Sequence, residues 1–322
     1  MGMKNSENTL LVTIRCITYN HELYIRRCLD GFVMQKTNFR FEAIVHDDAS
    51  TDGTTDIIRE YAEKYPDIIK PILEKENQYS KHDGSLLRIM NEHTHGKYVA
   101  MCEGDDYWID PLKLQKQVDF LEQNSEYGLI FTNVDVFYQK TGFWRRRYLT
   151  SKGLVPRCFE EHLINAGYIA PLTWMYRTEF LQTKPYHYVD GTFPLALDIW
   201  AKSKVYFLDE VTAVYRILSE SASHSKDSLK RYNFIKGVFK IQCDFAEKYH
   251  VDDVIKLNIK KIYIQRCFPY IVLFESKDTI VEAKQLLKQT SSISLKNKII
   301  LFMSYTSIGI FFLKIMYRLR DL

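Results

Sequence analysis

An α/β fold is what the chain predicts: a mostly parallel sheet flanked by helices, followed by an all-helical C-terminal extension. Three observations lead there. Short β-branched apolar runs alternate with helical periodicities over roughly the first 125 residues, as βαβ units require. Three of those runs end abruptly in polar clusters, at Thr18-Tyr19-Asn20, Asp47-Asp48 and Asp105-Asp106. Beyond Ser219 the apolar spacing becomes helical to the end of the sequence.

Taken in order, residues 10–17 (LLVTIRCI) form the first buried strand, bounded by polar residues. Asn20 stands where an N-cap belongs, and Ile25, Cys28, Leu29, Phe32 and Val33 then fall on one helix face. Residues 41–46 (FEAIVH) give a second strand running into HDDASTDGT. Ile57, Ile58, Tyr61, Ala62 and Tyr65 mark the next helix, which Pro66 stops. A third strand is predicted at 68–73, a helix at 84–93 and a strand at 97–102 that leads into EGDDYW (103–108). A helix at 111–123 and an apolar run at 128–138 follow. Residues 139–157 read as an irregular basic loop, either solvated or a flap that meets phosphate. Strands are predicted at 205–208 and 211–216, with a helix over 193–201 between the basic loop and them.

The stretch 219–228 reads as a polar linker, which divides the chain into domains 1–218 and 219–322. Pro269 should kink or break its helix. Ile299–Leu313 carries no charge, but it is shorter than the ~20 residues a membrane span needs. Basic residues flank it, so 296–320 reads as an in-plane amphipathic pair at an anionic leaflet, or as a helical hairpin packed on the first domain.

Composition narrows the classes. Hydrophobic residues make up 46% and charged residues 26%, which predicts a packed core rather than disorder. The net charge of +4, from 44 basic and 40 acidic side chains, gives no argument for nucleic acid, and none is expected as a partner. The six cysteines form no Cys-x-x-Cys pair and none has zinc-finger spacing, which suits a reducing cytosol. The first residues lack a signal-peptide pattern.

EGDDYW puts three acidic groups into four residues directly after a strand. Crowded carboxylates repel one another unless a cation sits among them, and an ion carrying phosphates needs only one or two protein carboxylates. The same residues would also serve as an acidic loop capping the next helix, since Asp106 or Asp110 precedes Pro111. In parallel sheets ligands bind at the carboxyl ends of strands. Three polar clusters on one such rim point to a nucleotide or another phosphate-bearing ligand.

The order Thr18-Tyr19-Asn20, FEAIVHDDASTDGT and CEGDDYWIDPLKLQKQ resembles the inverting family 2 glycosyltransferases of bacterial surface-polysaccharide type. The likeness is strong over 10–135 and looser to Arg216, where DEVTAVYR is similar to the family's closing strand. It implies a GT-A (Rossmann-like) fold and transfer of a sugar from a nucleotide donor, UDP-linked, to a glycan or lipid-linked acceptor. By that resemblance Thr18, Tyr19 and Asn20 lie against the nucleotide base, and Asp48 or Asp47 bonds it. Ser50, Thr51 and Asp52 shape the pocket. Asp105 and Asp106 hold Mn²⁺ or Mg²⁺, Asp105 also touching the donor, and Trp108 packs beneath the acceptor or anchors its loop. Such an enzyme would be cytoplasmic, at the inner face of the membrane.

Two departures qualify the likeness. Relatives carry Gly-Asp-aromatic-Pro where this chain has Gly191-Thr192-Phe193-Pro194, and threonine is no base at neutral pH. Asp190 is the substitute, ahead of Asp198. Leu218 stands where many relatives place a histidine, with His224 nearby. A non-catalytic nucleotide-sugar-binding or assembly subunit is the alternative. A nucleotidyltransferase would need a Gly-rich loop after the first strand, where Tyr19-Asn20-His21-Glu22 stands instead.

Overall fold

The structure, a computed structural model, describes residues 9–166, 169–182, 187–218, 227–290 and 293–321, with side chains to Tyr317. The chain divides into two compact units. Met1–Val155, Tyr168–Tyr186 and Asp198–Leu218 make the first; Pro156–Gly167, His187–Leu197 and Ser219–Leu322 make the second. Two stretches before residue 218 thus group with the C-terminal helices. Most of the 219–228 linker lies outside the described residues, as does His224.

The first unit is built on a nine-stranded sheet. Its strands are β1 (Leu10–Thr18), β2 (Arg40–Asp47), β3 (Ile69–Leu73), β4 (Tyr98–Met101), β5 (Tyr107–Trp108), β6 (Tyr127–Tyr138), β7 (Phe143–Arg145), β8 (Met175–Arg177) and β9 (Lys204–Ile217). The order is β3-β2-β1-β4-β8-β6-β9-β5, with β7 on β6. β3, β2, β1 and β4 are mutually parallel, as the βαβ pattern predicts. The other half is mixed: β8 runs antiparallel to β4 and β6, while β6 and β9 are parallel. The two strands expected over 205–216 are one strand, β9, whose pairing with β6 shifts register near Asn133.

Helices α1 (Ile25–Val33), α2 (Thr54–Lys64), α3 (Ser85–Glu92), α4 (Lys113–Gln123) and the single turn α5 (Tyr148–Ser151) belong to this unit. α1 buries Ile25, Cys28, Leu29 and Phe32, the face its spacing predicts. Asn20 is not its cap: the helix starts four residues past the expected position, after Tyr24. Asn20 instead takes a left-handed backbone (φ 54°), which asparagine tolerates better than most residues. Cys16, Cys28 and Cys102 are buried side by side, with sulfurs 3.9–4.0 Å apart, and pack as small hydrophobes.

The second unit holds α6 (Phe159–Ile164), the start of α7 (Thr192–Lys202), α8 (Ser228–Lys248), α9 (Asp253–Phe274), α10 (Lys277–Lys288), α11 (Leu295–Met303) and α12 (Ser307–Asp321). Its core gathers Tyr232, Ile264, Phe268, Ile271, Leu287, Ile300 and Leu313. α9 runs unbroken through Pro269, against expectation. Proline cannot donate to the carbonyl four residues back. That carbonyl, of Gln265, accepts instead from Asn297 Nδ2 at 2.7 Å.

Candidate active site

The three polar clusters meet on one rim of the first unit. Thr18 ends β1 opposite Asp47 at the end of β2. Asp48 N–H donates to Thr18 O at 3.0 Å, and Gly104 N–H donates to Ile17 O at 3.0 Å. The turn Glu103–Asp106 therefore lies directly against β1. A Cβ on Gly104 would collide with the Thr18 hydroxyl, so only glycine lets the acidic turn approach this closely.

Around that rim the loops lace together. Asn20 Oδ1 accepts from Thr51 N–H at 2.8 Å, and Asn20 N–H donates to Ser50 Oγ at 2.9 Å. Gly53 N–H donates to Glu22 Oε2 at 2.8 Å. Asp47 Oδ1 accepts from Ser50 N–H at 3.1 Å, and its other oxygen accepts from the Thr55 hydroxyl. Between them Ala49 holds a left-handed backbone, φ 65°, which costs an L-residue with a Cβ about 1–2 kcal/mol. Tyr19 is 45% exposed, the one large ring of the 18–20 cluster open to a ligand.

Asp48, expected to bond the nucleotide base, is held by the neighbouring turn. Its Oδ1 accepts from Gln78 N–H at 2.6 Å and its Oδ2 from Tyr79 N–H at 3.1 Å. Both oxygens are thus turned into the 77–79 turn, and the side chain is buried. It orders the loop beside the rim.

The acidic turn is electrostatically loaded. Asp106 Oδ1 accepts from Arg216 N–H at 2.7 Å, and Arg216 Nε donates to Asp105 O at 2.8 Å. Burial, and then the neighbouring Asp105 carboxylate, push Asp106 well above the usual carboxylate range. Asp105 Oδ1 is buried with no hydrogen-bond partner, an expensive state for a carboxylate oxygen. A divalent cation at that oxygen would offset both costs, so the donor set fits one. Among the described residues no cluster of three or more His, Cys, Asp or Glu could hold a metal by itself. A cation also bound by diphosphate oxygens needs no such cluster.

Trp108, expected beneath the acceptor, is a core residue, 2% exposed. Its Nε1 donates to Leu172 O at 2.8 Å, and Phe32 packs edge-on against it. Lys113 Nζ lies 4.3 Å over its ring and donates to Gln117 Oε1 at 2.7 Å. Gln117 Nε2 in turn donates to Thr173 O at 2.8 Å. This buried network fastens β5, immediately after the acidic turn, to α4 and to residues 172–173. Burial pushes the Lys113 ammonium down to about 7.

In the basic stretch 139–157, Arg146 pairs with Asp135 at 2.5 Å and Arg147 with Asp209 at 2.6 Å. These arginines are therefore engaged by protein carboxylates. Asp190 lies in the second unit. Its Oδ1 accepts from Thr192 N–H at 2.6 Å, the Thr192 hydroxyl at 2.8 Å and Phe193 N–H at 3.0 Å. It caps the start of α7.

The sequence pattern assigns no site role to three residues the structure brings to or beside this rim: Arg216, His21 and Lys113. His21 Nδ1 lies 3.1 Å from Thr18 Oγ1. Burial lowers its pKa although Asp105, Asp52 and Asp47 oppose the shift. Arg216 could have been suspected as the charged residue that ends the predicted strand 211–216. Nothing local distinguishes Lys113 from the solvated lysines around it.

Comparison with known proteins agrees with this architecture. The family model described as glycosyl transferase family 2 matches residues 13–183. An uncharacterized protein of Mycobacterium tuberculosis is 47% identical over 128 residues, 40% of this chain, and the match spans 36% of that relative's own length. A UDP-Glc:alpha-D-GlcNAc-diphosphoundecaprenol beta-1,3-glucosyltransferase of Escherichia coli is 25% identical over 81% of this chain and 97% of its own. The structure of PcManGT, a mannosyltransferase of Pyrobaculum calidifontis in complex with GDP-Man and Mn²⁺, shares the fold. It aligns with a TM-score of 0.58 at 17% identity, covering 99% of this chain and 89% of that one.

Proposed function

Because the chain belongs to glycosyl transferase family 2, we propose that it is a metal-dependent inverting glycosyltransferase. It moves a sugar from a UDP-linked donor to a hydroxyl of a surface glycan or lipid-linked acceptor. The observation that carries this is the buried, unpartnered Asp105 Oδ1 on the rim shared by Thr18 and Asp47-Asp48. The UDP donor and lipid-linked acceptor follow the E. coli relative, whose name states both. The metal follows the Asp105–Asp106 pair and the Mn²⁺ complex of the P. calidifontis enzyme.

In this reading Thr18, Tyr19, Asn20 and Ser50 form the nucleotide pocket, with the open Tyr19 ring offered to the base. Asp47 and Asp48 keep its two loops in place. Asp105 and Asp106 would hold Mn²⁺ or Mg²⁺, which when bound supplies Lewis-acid stabilisation of the departing diphosphate. Arg216 fixes the turn that carries both carboxylates. Asp190 takes the proton from the acceptor hydroxyl as that oxygen bonds to the anomeric carbon and the bond to the diphosphate breaks on the opposite face. One attack of this kind inverts the anomeric centre. No helix among the described residues is long and apolar enough to cross a membrane. Work on a lipid-linked acceptor then places the protein peripherally, at the cytoplasmic face.

A second reading, a donor-binding subunit without transfer activity, is favoured by Thr192 in the base position and by the capping role of Asp190. Asp190→Asn separates the two, because asparagine caps a helix as well as aspartate does but accepts no proton. Transfer from UDP-sugars with Mn²⁺ should fall by about 10²–10⁴-fold in Asp190→Asn with donor binding kept. Wild-type protein that binds UDP-sugar yet neither transfers nor hydrolyses it supports the second reading.

A further inference from the structure

We propose that α11 and α12 form a membrane-binding face that lies in the plane of an anionic bilayer. The inference deepens the peripheral placement given above and rests on it only for location. On α11 the exposed apolar residues are Leu295, Ile299 and Phe302, at helical positions i, i+4 and i+7. On α12 they are Ile308, Phe311, Phe312, Ile315 and Met316, at i, i+3, i+4, i+7 and i+8. Each set is one continuous stripe. Leu295 is 75% exposed, Phe302 80% and Ile308 71%, values far from those of a satisfied hydrophobic side chain.

The helices do not expose these side chains for want of an inner face. Ile300 on α11, and Leu313 and Tyr317 on α12, pack into the core of the second unit. Each helix is therefore apolar on two faces, one already buried and one still in water. Gly309 permits the tight junction between them, since a Cβ there would overlap the Met303 carbonyl. Exposed hydrocarbon of this extent is unfavourable in water unless something covers it.

Charge identifies what covers it. From Ile293 to Arg320 the sequence holds Lys296, Lys298, Lys314, Arg318 and Arg320 and no aspartate or glutamate. Lys298 adjoins the α11 stripe and Lys314 the α12 stripe, and both are exposed. At the junction Tyr305 is exposed, with Lys284 Nζ 4.4 Å and Lys288 Nζ 5.4 Å from its ring centre. Apolar stripes with a basic edge and an interfacial aromatic match a leaflet of anionic headgroups over acyl chains. A protein partner buried on these stripes would have to supply every compensating acid itself. Neither helix is long enough to span, so the pair lies along the surface.

Flotation of the full chain with vesicles tests this without donor, acceptor or metal, so its failure leaves the sugar-transfer proposal standing. The protein should float with vesicles of phosphatidylcholine and phosphatidylglycerol and much less with phosphatidylcholine alone. The combined change Phe302→Ser, Phe311→Ser and Phe312→Ser should weaken binding by more than about 100-fold, since three phenyl groups leave the acyl region. Lys298→Gln with Lys314→Gln, which leaves the apolar stripes intact, should weaken it roughly tenfold, and added salt should mimic that loss. Two results overturn the proposal: wild-type protein that stays with the soluble fraction, or a wild-type dimer that the triple substitution turns into a monomer without any vesicle binding.

Discussion

In the first unit, carboxylates are buried at strand ends; in the second, hydrocarbon is exposed along helix faces. Asp47, Asp48 and Asp106 lie inside, whereas Phe302, Ile308 and Phe311 lie outside. Both reverse the ordinary partition of polar and apolar groups, and such reversals carry more information than the residues that obey it. The two differ in how far the protein itself compensates them. Asp47 and Asp48 are satisfied by their own loops, Asp106 is partly satisfied by Arg216, and Asp105 Oδ1 is left over. On α11 and α12 the outer stripes have no internal compensation at all. The two proposals fall where compensation stops: a cation with its diphosphate is proposed at Asp105, and a bilayer at the apolar stripes.

The largest effect should come from breaking the first assignment. Asp105→Asn should lower turnover of UDP-sugar by about 10²–10³-fold, the scale of losing one preorganised electrostatic contact in a transition state. Its thermal midpoint should hold or rise, because a buried, unpartnered charge is gone. Steady-state rates and a thermal melt measure both. Activity retained within a fewfold would mean that the buried oxygen is merely strained.

Buried bases sharpen the comparison next, one in each unit. Lys113 is depressed from 10.5 to about 7 by burial. Between pH 7 and 10.5 the unfolded chain binds the extra proton, so stability contributed by this site rises with pH, by a few kcal/mol at most. His162, in the second unit, is depressed from 6.5 to about 3, also by burial. There the unfolded chain takes the proton below pH 6.5, so stability is lost as pH falls from 6.5 towards 3. Urea midpoints against pH should show Lys113→Met flattening only the alkaline window and His162→Phe only the acid one.

A smaller effect tests the reassignment of Trp108. Trp108→Phe should cost about 1–2 kcal/mol of stability through the lost bond to Leu172 O and reduced packing. Urea unfolding reads the loss. KM for the acceptor should stay unchanged, since the indole is buried against protein.

These reassignments show what a sequence discloses. The strands β1, β2 and β4 were legible because their apolar runs are short, β-branched and sharply bounded. Their convergence on one rim followed from parallel topology alone. What stayed hidden depended on partners distant in the chain. Asn20 looks like a helix cap until Thr51 is seen to occupy its oxygen, 31 positions away. Pro269 looks like a helix breaker until Asn297 takes the carbonyl it frees. Asp190 stands two positions before Thr192 in sequence, and only the start of α7 shows that it caps a helix. Lys113 lies among surface lysines in sequence and beneath Trp108 in space. Local pattern reveals elements and strand ends, while the duties of single polar groups are set by tertiary contacts.

The central claim is that the β1–β2–β4 rim binds a nucleoside diphosphate together with a divalent cation at Asp105. Titration of the full chain with UDP by calorimetry, in Mn²⁺ and again in EDTA, tests it most directly. Binding that needs Mn²⁺ in the wild type and is lost in Asp105→Asn is the predicted result. UDP binding that is equally tight in EDTA and in Asp105→Asn would contradict it.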